Sequence, residues 1–310
     1  KKVVLSFQKK VSIVMAYYNN RKPQTLETLK GFEKMYAGKY NFEVIIVDDN
    51  SNDENRLEED IKQFSFPINL IVISAEEKGD RVNPCVAYNK GFVEATGDII
   101  MIQNPECYHV RDILGHTINN LDEQDYFSYS CYGVNTEELN NLMFNSSHIS
   151  DELINETNRP LFDFLMLKSS HIYDDLINET NIPLFFVKLW TLHTKNGTGN
   201  NPNLKTCDIE WYNHPTITPT EYHYCSAIYK SKLDIIGGFD TRFANGYCFD
   251  DDAFILQIKD GLKLDVKIID PEYGFVIHQF HTRSASFNIT SRGDDNVINR
   301  KWMKNELLLE

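Results

Sequence analysis

Four short runs of apolar, largely β-branched residues recur within the first hundred residues, with helix-like stretches between them: "VSIVMA" (11–16), "EVIIV" (43–47), "INLIVI" (68–73) and Ile99–Ile102. Runs of this length and composition read as strands buried on both faces. Leu26, Leu29, Phe32 and Met35 fall at helical spacing, so a helix should start near Pro23. Residues 57–64 read as a short amphipathic helix, and "NPCVAYNKGFVEA" as a helix ending near Gly97. Strands that alternate with helices need crossover connections, and crossovers make neighbouring strands parallel. The expected class is therefore α/β, with a central, mostly parallel mixed sheet flanked by helices.

Ligands of such sheets bind at the carboxyl ends of the strands. Those ends carry Tyr17, Asp48-Asp49, Ser74 and Asn104-Pro105-Glu106. Asp48 and Asp49 can accept bonds from a base N–H or a ribose hydroxyl; the competing reading is an Asx-turn leading into Asn52-Asp53. Neither G-x-G-x-x-G nor G-x-x-x-x-G-K-[ST] occurs. A diphosphate would need another holder, and a metal ion is the economical one.

The second half is organised differently. "SSHISDELINETNRPLF" (146–162) recurs as "SSHIYDDLINETNIPLF" (169–185), a duplicated 23-residue unit. Two nearly identical copies point to a recent duplication rather than a solenoid. Each copy reads as a short helix stopped by its proline. Beyond it, "EYHYCSAIYKSKLDIIGGFDTRF" reads as a strand, a short helix and a Gly-Gly turn. "DDDAFILQIKDGLKL" is an amphipathic helix with Phe254, Ile255, Ile258 and Leu262 on one face, and "KIID" and "GFVIHQFH" are strands. The organisation expected is one catalytic domain over 1–310: a nucleotide-binding half (1–107), a variable insertion (108–200) holding the duplication at 146–185, and a catalytic half with a terminal flap (201–310).

Two constellations in that last part carry chemistry. Asp250, Asp251 and Asp252 stand where a helix begins, facing its positive end. One aspartate there is an ordinary cap, whereas three in a row repel each other, and a cation or an acceptor hydroxyl in need of a base would relieve them. His278 and His281 follow an apolar strand, and with Glu106 they make a ligand set for a divalent ion that also takes phosphate oxygens.

Bulk properties exclude some partners. A net charge of -14 argues against general nucleic-acid binding. No apolar run approaches the roughly 20 residues of a membrane helix, and no signal peptide is visible, so a soluble, cytoplasmic domain is expected. Cys85, Cys107, Cys131, Cys207, Cys225 and Cys248 are scattered without a C-x-x-C pair, which reads as free buried thiols rather than a zinc cluster.

Taken together, "VSIVMAYYNNR", "EVIIVDDNSND", "NKGFVEATGDIIMIQNPEC" and "IGGFDTRFANGYCFDDDAF" resemble the family 2 glycosyltransferases of GT-A fold, over roughly 11–110 and 220–282. The resemblance implies an inverting transfer of a sugar from a UDP-sugar donor to an acceptor hydroxyl on a glycan, glycoprotein or glycolipid. It implies that the first strand end (Ala16, Tyr17) and Asp49 with Asn50 hold uracil and ribose. The fourth strand of such enzymes ends in Asp-x-Asp, which binds Mn2+ or Mg2+ bridging the donor diphosphate. Asn104-Pro105-Glu106 stands there in this chain, a variant similar to an "NPEC" form found in related transferases, with His278 or His281 completing the ligand set. The later segment resembles the galactosyltransferase arrangement, in which a histidine ligates the metal. By the same resemblance Asp251 is the general base, Asp250 stands where glutamate is common, and Asp252 is its neighbour. Asp240 is assigned to a sugar hydroxyl, Arg81 to the donor phosphates or sugar, and Trp211 and His223 to the acceptor wall. Two alternatives stand beside this. One is a nucleotidyltransferase of similar fold, disfavoured because "AYYNNRKPQ" lacks a glycine-rich loop. The other is a non-catalytic relic that binds sugar or nucleotide.

Overall fold

The computed structural model describes residues 9–135, 137–144, 209–247 and 249–282. The duplicated unit at 146–185, Cys207, Cys248 and the terminal flap lie outside the described residues. The chain divides into two compact units, Lys1–Cys131 with Trp211–Glu310, and Tyr132–Glu210. All the candidate site residues belong to the first.

The four expected strands form as β1 (Val11–Tyr17), β2 (Phe42–Asp48), β3 (Ile68–Val72) and β4 (Ile99–Gln103). They pair in parallel in the order β3-β2-β1-β4. The period of two explains their composition. Val11, Ile13, Met15 and Tyr17 enter one apolar cluster with Val44 and Ile46, while Val14 enters a second with Ile45, Val47, Ile100 and Ile102. The first cluster is roofed by α1 (Lys22–Tyr36) and α4 (Ile113–Asn120), the second by α3 (Cys85–Glu94), α6 (Lys230–Ile236) and α7 (Asp250–Leu256). Gly91 is what lets α3 come so close: a Cβ there would collide with Val14. A four-residue helix, α2 (Ala75–Lys78), follows β3 and is capped by the Ser74 side chain, which accepts from Glu77 N at 3.1 Å.

The sheet then changes direction. After β5 (Cys107–Val110) and β6 (Asp125–Val134), and beyond α5 (Glu137–Phe144) and β7 (Ile209–Asn213), comes β8 (Cys225–Tyr229), which pairs antiparallel with β4. β9 (Asp265–Ile269) pairs in parallel with β6, and β10 (Phe275–His278) runs antiparallel to β5. The result is a ten-stranded sheet ordered β3-β2-β1-β4-β8-β6-β10-β5, with β7 and β9 on β6.

Two helical expectations change in detail. Residues 57–64 make no α-helix; a 3-10 turn, Asp60–Gln63, carries them. Leu57, Ile61 and Phe64 still reach the first apolar cluster. One turn suffices for that, and so short an α-helix is unfavourable by itself. The helix from Asp250 ends at Leu256 and widens into a π-turn over Gln257–Gly261, with Ile258 still buried. The Gly-Gly turn forms as expected: Gly237 and Gly238 have φ of 73° and 87°. Asn89 clamps it, donating to Phe239 O (2.7 Å) and accepting from Phe239 N (2.8 Å). Cys85, Cys107, Cys131 and Cys225 are buried free thiols.

Candidate active site

Glu106 is placed by the turn that ends β4. Cys107 N donates to Asn104 O at 3.0 Å, and β5 then pairs with β10 so that Cys107 lies opposite His278. That register carries a late histidine to the carboxyl edge of the early strands. His278 Nε2 lies 3.2 Å and His281 Nε2 3.5 Å from Glu106 Oε1. The three donor atoms sit within 4.8 Å of one another. Two residues that carry no motif of their own complete the arrangement. Arg21, at the start of α1, brings its Nε to 3.1 Å from Glu106 Oε2. Gln279 is buried between the histidines in sequence, and its Nε2 donates to Glu106 O (3.0 Å), Gln24 O (3.0 Å) and Thr28 Oγ1 (3.1 Å). It ties the β10 end to both the Glu106 turn and α1.

Burial by itself would raise the Glu106 carboxyl, yet Arg21 and the bonds from His278 and His281 hold it well below the usual carboxylate range. Arg21 is in turn pushed upward by Glu106. The group is thus a permanently charged carboxylate with two imidazoles beside it. One carboxylate and two imidazoles suit a first-row divalent ion, so the residues fit a metal. Asn104 is directed elsewhere among the described residues: its Oδ1 accepts from the Tyr88 hydroxyl at 3.0 Å, and its backbone N donates to Tyr224 O at 3.1 Å. Below the strand end, His109 Nδ1 meets the Tyr36 hydroxyl at 2.8 Å and His109 Nε2 meets Gln103 Oε1 at 2.5 Å. Burial pushes this imidazole down to about 3, so it is a neutral structural group.

At the end of β2 the two aspartates divide their roles. Asp48 Oδ1 accepts from Ser51 N at 2.7 Å, the Asx-type turn, and burial raises its carboxyl. Asp49 is instead ion-paired, with Lys78 Nζ at 2.8 Å from Oδ2 and Arg81 at 3.2 Å from Oδ1. Lys78 Nζ also lies 3.6 Å from the centroid of the half-exposed Tyr18 ring. Asn19 braces this rim: its N donates to Ser51 Oγ (2.8 Å) and its Oδ1 accepts from Asn52 N (2.9 Å). Asn50 holds a φ of 64°. Ala16 is partly buried, and Tyr17 is buried with its hydroxyl on Asn55 O at 2.6 Å.

The three consecutive aspartates separate their charges through three different partners. Asp250 is 6% exposed and bonded to Asn83. Burial, then the charge of Asp251, pushes it up to about 7. Asp251 is 34% exposed, and its Oδ1 lies 2.5 Å from Nδ1 of His223. Asp252 Oδ1 accepts from the Tyr222 hydroxyl at 2.8 Å. Adjacent residues before β8 therefore hold adjacent carboxylates on α7. Asp240 caps the 3-10 turn Thr241–Phe243, accepting from Arg242 N at 2.9 Å, and is ion-paired to the Arg242 side chain. Trp211 is buried against His214 and Phe275, and His223 is buried beneath Asp251.

The family model described as "Glycosyl transferase family 2" matches residues 12–172, just over half of the chain. No curated protein matches. Among solved structures, GalNAc-T7 with UDP, GalNAc and Mn2+ matches at 12% identity and a TM-score of 0.55, covering 90% of this chain and 45% of that one. The mannosyltransferase PcManGT from Pyrobaculum calidifontis, in complex with GDP-Man and Mn2+, matches at 13% identity and a TM-score of 0.47, covering 90% of this chain and 59% of that one. S. aureus TarS 1-349 matches at 13% identity and a TM-score of 0.49, covering 86% and 60%. The chain thus spans less than two thirds of the length of these proteins. The likeness to GalNAc-T7 is one of fold, and that fold is the GT-A fold expected from the sequence. Among the described residues no helix is long and apolar enough to cross a membrane.

Proposed function

The chain belongs to glycosyl transferase family 2, and on that premise we propose that it transfers a sugar, with inversion, from a UDP-sugar to an acceptor hydroxyl. The observation that carries this reading is the convergence of Glu106, His278 and His281 at the carboxyl end of β4. These three residues would hold a first-row divalent ion; Mn2+ is the one the resemblance implies, and the one that accompanies UDP in GalNAc-T7. When bound, it supplies Lewis-acid neutralisation of charge on the leaving diphosphate. Arg21 adds a fixed positive charge on the far side of the same carboxylate.

The remaining roles follow from charge and exposure. Asp49, beside Lys78 and Arg81, accepts from the ribose or base, and the two cations lie on the donor side. Asp251 is the base, because it is 34% exposed beside the buried Asp250 and its Oδ1 is held by His223. It removes the proton of the acceptor hydroxyl as the hydroxyl oxygen attacks the anomeric carbon on the face opposite the diphosphate, which departs as UDP. The acceptor carries carbohydrate or another hydroxyl-bearing group. The test is calorimetric titration of UDP with and without Mn2+, on the wild type and Glu106→Ala. Manganese should tighten UDP binding at least about 10-fold in the wild type and leave Glu106→Ala unaffected. Equal UDP affinity with and without manganese in the wild type overturns the metal assignment.

A further inference from the structure

His223, assigned above to the acceptor wall, is buried and closely fixed in position. Its ring is 7% exposed. It stands edge-on to Tyr88 (5.2 Å, 86°) and meets Phe239 (4.8 Å, 64°) and Phe254 (6.5 Å, 76°). Phe239 and Phe254 are themselves stacked at 4.2 Å. An aromatic box of this kind leaves the imidazole one orientation. In that orientation Nδ1 faces Asp251 Oδ1 at 2.5 Å. An ionised carboxylate only accepts, so Nδ1 carries the proton.

Resting on the base assignment made above, we propose that His223 is a positioning residue for Asp251: it fixes one carboxylate oxygen so that the other is presented to the acceptor hydroxyl. A carboxylate on an exposed helix start otherwise turns about its terminal torsion, which is broad. A donor locked by packing removes that freedom before the acceptor arrives. The ring also answers a charge problem, since Asp250 and Asp251 are neighbours and one of them is buried. Burial lowers the His223 imidazole, but Asp251 and then Asp250 outweigh it and raise it overall. The titratable groups that face it are Asp250 and Asp251 from α7 and the Tyr88 phenol from α3, with the Tyr222–Asp252 pair alongside.

Three variants test this, read as UDP release from a panel of UDP-glucose, UDP-galactose and UDP-N-acetylglucosamine with Mn2+. His223→Phe keeps the ring packing and removes the donor. His223→Asn keeps a donor near the Nδ1 position and removes the charge. Asp251→Asn removes the base. For the sugar released fastest, His223→Phe should lower kcat about 10- to 100-fold, with KM and calorimetric UDP affinity within about 2-fold. His223→Asn should recover most of that loss. If both His223 variants lose kcat and UDP affinity in parallel, His223 is structural and the inference is overturned. Release that needs Asp251 but ignores His223 overturns it alone. Full activity in Asp251→Asn, or no release from any sugar, overturns the base or transferase reading on which it rests.

Discussion

Glu106 and Asp250 are buried to nearly the same degree, 2% and 6% exposed, and titrate in opposite directions. Glu106 faces a guanidinium and two imidazoles, so it stays ionised despite burial. Asp250 faces another aspartate, an amide and the far side of a shared histidine, so burial prevails and its proton is held to about 7. The difference teaches that burial sets the stakes and the neighbours decide the sign. One carboxylate is built to meet a cation. The other stores a proton next to the residue assigned as base.

The largest expected effect sets these two sites apart by stability. Asp250 binds its proton more tightly folded than unfolded, so its contribution is greatest below the unfolded value of 3.8 and is lost as pH rises through about 7. Asp250→Asn removes that loss. In thermal or urea unfolding it should be more stable than the wild type at pH 8, by up to about 4 kcal/mol, and the two should converge near pH 4. A variant less stable at pH 8 would show that Asp250 is ionised in the fold. Next comes Arg21→Met, which removes the cation competing for Glu106. Binding of Mn2+ alone, followed by electron paramagnetic resonance, should tighten about 10-fold; unchanged or weaker binding would show that the arginine does not compete. The smallest change is Tyr222→Phe. It takes one hydrogen bond from Asp252 and nothing from Asp251, so UDP release should change less than about 3-fold. A loss as large as that of His223→Phe would move the base to Asp252.

The parallel core was legible because its signal is local: β1, β2 and β4 are continuous apolar runs, and each residue's face follows from the period of two. The Asp250–Asp252 cluster and the "VIHQFH" histidines were legible as unusual residue types in a row. What joins them was not. Arg21 meets Glu106 because β1 and β4 pair side by side, and His223 meets Asp251 because β8 joins β4 beneath α7. An arginine after "YYNN" or a histidine in "EYHYC" carries no periodic mark of that. Asp48 and Asp49 look equivalent in "VDDNS", and only the turn made by Ser51 separates them. The 57–64 stretch was misread because spacing reports which residues are buried, and a 3-10 turn can bury the same ones.

The reversal of β8 has an evolutionary consequence. Parallel strands deliver their last residues to the carboxyl edge of the sheet, whereas an antiparallel neighbour delivers its first ones. Tyr222, His223 and Tyr224 reach the end of β4 for that reason alone, and Tyr224 O accepts from Asn104 N there at 3.1 Å. The residues just before β8 are therefore delivered to the carboxyl edge of the sheet. They lie outside the β1–β4 register, so the topology works as a socket: a fixed parallel frame and an exchangeable approach segment.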